Sequence, residues 1–315
     1  MRVGVLIPSR DLFARGGKPP DPGLALAYAE AAEALGLDSV WLGDSLTSRP
    51  RLEPLAFLAA VAARTSRVRV GTAVLLPALR PPLPLAHTVG TVDYVSRGRL
   101  VLAMGVGGAN QPDLMEEWKA AGVPPKQRAS RLEETIEILR KLWTGRPVSH
   151  NGRYFQFGPV TVRPLPWNGH VPLLLGCHAR TDSERQLRRA ARLADGIISI
   201  GATPDQYRTI RERVWQYARE EGRDPTPFEA AYYVTVTLGA DAASAEAEGH
   251  EFLRQYYNVD RWAAPLDFFL RPDAIAGKLQ EYRQAGVDTL LVRFASYRPL
   301  EQLGLFAREV LPHLA

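Results

Sequence analysis

Few residues of this 315-residue chain combine reactive chemistry with a place at the end of an apolar run. Asp44 and Ser45 follow Val40-Trp41-Leu42-Gly43. Gly105-Val106-Gly107-Gly108-Ala109-Asn110 follows the run 100–104. Gly176-Cys177-His178, with Arg180 and Ser183 beyond, ends the run 172–176, and Arg293 ends the run 289–293. Asp44 reads either as a turn or N-cap carboxylate, or as one that accepts a hydrogen bond from a ligand and orients it. Glycines directly after a strand let the backbone approach a planar or phosphate-bearing ligand, or simply make a tight turn. A buried Arg293 calls for an internal carboxylate or an anionic ligand, because an unpaired guanidinium is costly away from water.

The same inventory excludes other chemistries. Of six His, only His178 stands at a strand end, and one Cys cannot build a multi-cysteine metal site or an intramolecular disulfide, so no metal is expected and a reducing, cytoplasmic setting fits. A Cys177 nucleophile with His178 as its base conflicts with the opposite directions of adjacent side chains in an extended segment. The net charge is +5, but Arg alternates with Glu along helical stretches such as Arg211-Glu212-Arg213, the pattern of solvated faces and not of a nucleic-acid footprint. No uninterrupted apolar stretch reaches membrane-spanning length, so no membrane partner is expected.

Positioning these residues requires a scaffold with many strand ends on one side. Apolar runs at 3–7, 39–43, 68–75, 100–104, 172–176, 196–200, 231–237 and 289–293 alternate with amphipathic helical patterns. Runs of that kind are parallel strands buried on both faces, and eight of them predict closure into an α/β barrel, with a doubly wound open sheet as the alternative. Asp21-Pro22 opens the first helix, whose predicted core stripe is Leu24, Ala27, Tyr28, Ala31 and Leu35, with Gly36 at its end. Ser183-Glu184-Arg185-Gln186 and Thr203-Pro204-Asp205-Gln206 are capping boxes; the first follows a loop with Arg180 and offers a phosphate seat. Leu35-Gly36-Leu37-Asp38-Ser39-Val40 echoes Ala285-Gly286-Val287-Asp288-Thr289-Leu290, a helix stop running into a strand. Asn151-Gly152 between apolar alternations marks a hairpin within an insertion at 145–171. The aromatic stretch 256–271 reads as a lid or a subunit contact.

Taken together, these segments resemble the luciferase-like family of flavin- and deazaflavin-dependent oxidoreductases. The resemblance rests on Gly36 to Asp44, Val68 to Val74, Pro84-Leu85-Ala86, Asp93 to Arg99 leading to Gly105-Val106-Gly107, Leu142 to Gly145, and Ala191 to Gly196, in family order. It implies a single (β/α)8 TIM-barrel domain over 1–315 with an insertion between strands four and five. It further implies a homodimer, and an 8-hydroxy-5-deazaflavin coenzyme (favoured) or FMN at the carboxyl face, transferring hydride to or from a small substrate. An FMN-dependent monooxygenase and a non-catalytic flavin-binding barrel are the alternatives. By the same resemblance, Asp44, Gly105, Gly107, Gly108, Gly176, Cys177, His178, Arg180 and Ser183 border the cofactor. Ala73-Val74 forms a bulge, often a non-proline cis peptide, behind its ring. Asp44 and Asn110 are the catalytic candidates, and Ser45 and Arg293 face substrate. Many members carry His where this chain has Ser45, and the segment 176–183 is longer than the usual glycine turn. On this reading Gly107→Leu fills the cofactor site and leaves the barrel folded.

Overall fold

A computed structural model describes residues 1–10, 21–48, 50–179, 184–257 and 267–314. Eight parallel strands, β1 (Arg2–Leu6), β2 (Ser39–Leu42), β3 (Arg69–Leu75), β4 (Leu100–Met104), β7 (Leu173–Gly176), β8 (Gly196–Ile200), β9 (Glu229–Leu238) and β11 (Thr289–Phe294), pair in that order, and β11 pairs back onto β1. The barrel is therefore closed, and the open-sheet alternative falls. Every residue of β2, β4 and β11 is buried, because one side of each strand faces the barrel interior and the other the helices.

The helices follow the expected caps. Asp21 accepts from the Gly23 N–H at 2.8 Å at the start of α1 (Pro22–Ala34), and Thr203 and Gln206 form a reciprocal capping box at the start of α7 (Pro204–Glu220). The others are α2 (Pro54–Arg64), α3 (Pro82–Ser96), α4 (Pro112–Ala120), α5 (Arg128–Leu142), α6 (Glu184–Leu193), α8 (Ala242–Tyr257), α9 (Pro272–Gln284) and α10 (Pro299–Glu309). The echoed segments share a device. Gly36 and Gly286 take φ of +84° and +91°, and the Asp two residues later bonds to the neighbouring strand, Asp38 to the Val3 N–H at 2.7 Å and Asp288 to the Ala230 N–H at 2.9 Å.

Two local expectations shift. Helix α1 buries Ala25, Tyr28, Ala29 and Ala32, while Leu24 and Leu35 are 55% and 40% exposed. Its small alanine face lies against the core, a choice that apolar spacing did not distinguish from the neighbouring leucine stripe. The hairpin pairs β5 (Val148–Asn151) with β6 (Gln156–Val160), but its loop is residues 152–155, wider than an Asn-Gly turn. Glu134 of α5 sets that width by accepting from the Tyr154 and Phe155 N–H groups at 3.1 and 2.9 Å and bonding His150 Nε2 at 3.0 Å.

The strand registers sort the inward side chains into layers drawn from alternate strands. At the amino end, the Glu229 carboxylate accepts both Nη atoms of Arg69 at 3.0 and 2.8 Å and the Thr289 hydroxyl at 2.5 Å, with Arg2 at 3.2 Å. Trp41, Ala103, Ile198 and Leu291 fill the middle, Gly71 lying directly against the Trp41 ring. Above them come Leu6, Ala73, Gly176 and Tyr233, then Gly43, Gly105, Ile200 and Arg293 at the carboxyl mouth. Of the stretch 256–271, the described ends lie at this mouth: Tyr256 and Tyr257 end α8, and β10 (Phe268–Leu270) pairs with β9. Residues 258–266 fall outside the described set.

Candidate active site

The loop after β2 is held by an ion pair and by a buried carboxylate, neither of which sequence reasoning foresaw. Asp44 Oδ2 accepts the Leu76 N–H at 2.8 Å and Arg80 Nη1 at 2.6 Å, and Asp44 Oδ1 accepts Arg80 Nη2 at 3.0 Å. The Asp44 side chain is 1% exposed. Against its expected catalytic role, both oxygens serve Arg80 and the backbone after β3, so Asp44 ties the β2 and β3 ends together. Burial alone would lower the Arg80 pKa, but Asp44 and Glu53 override it and hold the guanidinium above its ordinary value. The bidentate geometry explains why Arg fits here.

Ser45 is also engaged. Its hydroxyl donates to Glu117 Oε1 at 2.7 Å, and the same oxygen accepts the N–H groups of Leu46 at 2.5 Å, Thr47 at 2.9 Å and Ser48 at 3.3 Å. Burial pushes the Glu117 pKa up, but these donors outweigh it and the carboxyl sits below the ordinary range, ionised. Ser45 was expected to face substrate; instead it ties the loop 45–48 to α4. Only closure of the barrel reveals Glu117, which lies 72 residues from Ser45.

The glycines after β4 have a different purpose from the one the sequence implied. A side chain at Gly107, whose φ is +76°, would meet Trp118 Cζ2 at 2.7 Å and Leu76 at 3.2 Å, and one at Gly108 would meet Leu114 at 2.8 Å. Gly107 gives room to the buried Trp118 and Leu76, while Gly108 is exposed beside Leu114, its carbonyl accepting from Trp118 Nε1 at 2.7 Å. Gly107→Leu therefore disturbs packing, contrary to expectation. At Gly105 the space is filled by Val74 Cγ2, at 2.6 Å, and at Gly43 by the Arg51 guanidinium. Asn110 stands exposed on this loop. The Ala73-Val74 peptide is cis, as the resemblance implied, and the β3–β4 register shifts between Ala73 and Leu75.

At the end of β7, Gly176 faces inward and a Cβ there would lie 3.4 Å from His178 Nε2 and 3.7 Å from the Met104 carbonyl, ordinary contact distances. Burial lowers the His178 pKa, favouring neutral imidazole, while Gln186 Nε2 donates to the His178 carbonyl at 2.8 Å. Cys177 points the other way, fully buried in the layer between barrel and helices, and burial pushes its thiol up to about 12. Its thiol thus cannot touch a ligand in the mouth, which corrects its assignment, and its N–H is given to the Ile198 carbonyl at 2.9 Å. Iodoacetamide at pH 8 should leave Cys177 unlabelled in the native protein and label it in denaturant, as mass spectrometry will read. Arg180 and Ser183 lie outside the described residues.

Across the mouth stand the polar groups. Arg293, 4% exposed, donates from Nη2 to the Thr235 hydroxyl at 2.6 Å and from Nη1 to the Tyr257 hydroxyl. The rings of Tyr256, Tyr257 and Tyr233 lie 5.0, 5.2 and 5.5 Å from its guanidinium carbon. Among the described residues no cluster of three or more His, Cys, Asp or Glu could hold a metal ion, and no helix is long and apolar enough to cross a membrane.

Among the described residues, the carboxyl mouth of the closed barrel carries small residues on β3, β4 and β7 and polar ones on β9 and β11. The chain belongs to the luciferase-like monooxygenase family, whose profile matches residues 1–286. An uncharacterized protein of Mycobacterium tuberculosis is 35% identical over 178 residues, 56% of this chain and 59% of that protein, so the match spans under two thirds of that relative's length. The "F420-dependent glucose-6-phosphate dehydrogenase" of Microbacterium testaceum is 33% identical over 342 residues, 98% of each chain. Among solved structures, the monooxygenase RslO1 from Streptomyces bottropensis superposes with a TM-score of 0.81 over 100% of both chains at 24% identity, a likeness of fold.

Proposed function

We propose that this chain is an oxidoreductase that seats a flavin-type cofactor in the barrel mouth, an 8-hydroxy-5-deazaflavin in preference to FMN, and transfers hydride to or from a small organic substrate. One observation carries the reading: over β3, β4 and β7 the mouth presents Ala73, Val74, Gly105 and Gly176, nothing larger than valine, on strands facing β9 and β11 across the barrel. A planar ring fits against such an apolar wall, with the neutral His178 beside it. When bound, the cofactor supplies the two-electron chemistry that these side chains lack. The chain's own part is to flatten one wall, to hold the cofactor phosphate near the start of α6, and to present Tyr233, Ile200 and Arg293 to the substrate.

The preference for the deazaflavin rests on the net charge of +5, which suits an acidic-tailed coenzyme, and on the full-length likeness to a relative named for that cofactor. Fluorescence titration tests it. A deazaflavin Kd at least about tenfold below that of FMN is expected. The reverse order points to an FMN-dependent monooxygenase, and binding of neither overturns the proposal. Bound cofactor that no offered substrate reduces or reoxidises points to a non-catalytic barrel.

A further inference from the structure

Strand β10 places a carboxyl group in the polar half of the mouth. Phe268 pairs with Val236, so Asp267 falls beside Thr235, and Thr235 in turn pairs with Arg293 on β11. Parallel partners share a face, which sets a carboxyl, a hydroxyl and a guanidinium side by side on three adjacent strands, all inward. The Thr235 hydroxyl lies against the Asp267 carboxyl while accepting from Arg293 Nη2 at 2.6 Å. Two polar atoms of this row, Asp267 Oδ2 and Arg293 Nε, are buried and find no hydrogen-bond partner among the described residues. Buried polar atoms ordinarily have partners, and an exception calls for a reason, a catalytic role among them.

We propose that Asp267 is the proton-exchanging residue of this site, with Arg293 Nε fixing an oxygen of the substrate beside it and Thr235 bracing the pair. This rests on the cofactor reading above. For a secondary alcohol, the carbon gives hydride to the oxidised deazaflavin, the hydroxyl proton passes to Asp267 Oδ2, and the C–O single bond becomes a carbonyl. The reverse reaction returns the proton from the Asp267 carboxylic acid to the carbonyl oxygen. Asp44 cannot take this part because Arg80 and Leu76 engage it, and Ser45 is bound to Glu117. Burial pushes the Asp267 pKa up to about 6, against the opposing pull of Arg293 and Thr235. The other groups facing the row are Tyr233 on β9 and Tyr256 and Tyr257 on α8, while Tyr232, on the outward side of β9, feels the Asp267 charge from behind. Arg10 lies over Tyr256, and Arg51 acts on Tyr233. Burial holds Tyr232, Tyr233 and Tyr257 above the ordinary phenol range, so the carboxyl is the group of this row that titrates near neutrality.

The test compares wild type with Asp267→Asn, using deazaflavin as cofactor and a panel of secondary alcohols from 2-propanol to cyclohexanol. Since the carboxylate is the acceptor, wild-type kcat/KM should fall as pH drops through about 6. The variant should lose about 100-fold in kcat/KM together with that acid limb, while deazaflavin affinity by fluorescence stays unchanged. Infrared titration should show a carboxyl signal with a midpoint near 6 in wild type and none there in the variant. A variant that keeps its rate and its acid limb overturns the inference, as does a wild type that binds the cofactor and turns over no alcohol. Absence of cofactor binding in wild type overturns the cofactor reading instead. The infrared midpoint still judges Asp267 in that case, an ordinary carboxylate value counting against it.

Discussion

Gly176→Leu is expected to weaken deazaflavin binding by about 100-fold or more, equivalent to about 2.7 kcal/mol, while leaving the barrel folded. Its Cβ meets His178 Nε2 at 3.4 Å and the Met104 carbonyl at 3.7 Å, so the first carbon is accommodated. The remaining carbons must enter the mouth, where the flat wall of Ala73, Val74 and Gly105 would otherwise meet the ring. Gly107→Leu is the informative contrast. Its φ of +76° and the approach of Trp118 Cζ2 at 2.7 Å make that substitution an overpacked core residue in a strained backbone. It should lower stability by about 1–3 kcal/mol before it affects the mouth. Fluorescence titration and thermal melts on both variants separate the two effects. If Gly176→Leu binds cofactor as wild type does, the ring does not lie on this wall.

At the other end of the barrel, Glu229→Ala should be the most damaging single change to stability. It leaves Arg69 inside the barrel without its bidentate carboxylate, and deprives Thr289 and Arg2 of the same partner. Removing one member of such a pair typically costs about 3–5 kcal/mol, a fall in Tm on the order of 10 °C. Burial raises the Glu229 pKa, but Arg69, Thr289 and Arg2 more than offset this, and the net shift is downward. A carboxyl depressed in the folded state contributes its stability above its unfolded value of about 4.3 and loses it as pH falls through the lower folded value. The gap between wild type and variant should therefore be widest near neutral pH and narrow on acidification. The double variant Arg69→Met/Glu229→Met should recover part of the loss, because it removes the stranded cation. Deazaflavin affinity measured well below the melting temperature should not change, since this layer lies at the opposite end from the mouth.

The contrast between these two sites shows what kind of information the sequence held. Alternating runs and caps located eight strands and the starts of α1 and α7, because each depends on residues within a few positions of one another. Asp44, Ser45, Gly176, His178 and Arg293 were placed correctly at strand ends for the same reason. Their partners were not legible. Asp44 meets Arg80 across 36 residues, Ser45 meets Glu117 across 72, and Arg69 meets Glu229 across 160. Arg80 and Glu117 carried no local signal, lying in a short turn and on an amphipathic helix whose other charges face water.

The glycines make the distinction sharpest. Sequence alone determined that the chain turns without side chains at Gly43, Gly105, Gly107 and Gly176, and that eight strand ends share one rim. Whether each gap receives a ligand or a neighbour is a matter of what the closed barrel brings opposite it. Arg51, Val74 and Trp118 fill three of the gaps, and Gly176 keeps ordinary clearance. The same closure sets Asp267 beside Thr235 and Arg293, a juxtaposition created by the strand registers and invisible to any window of local sequence.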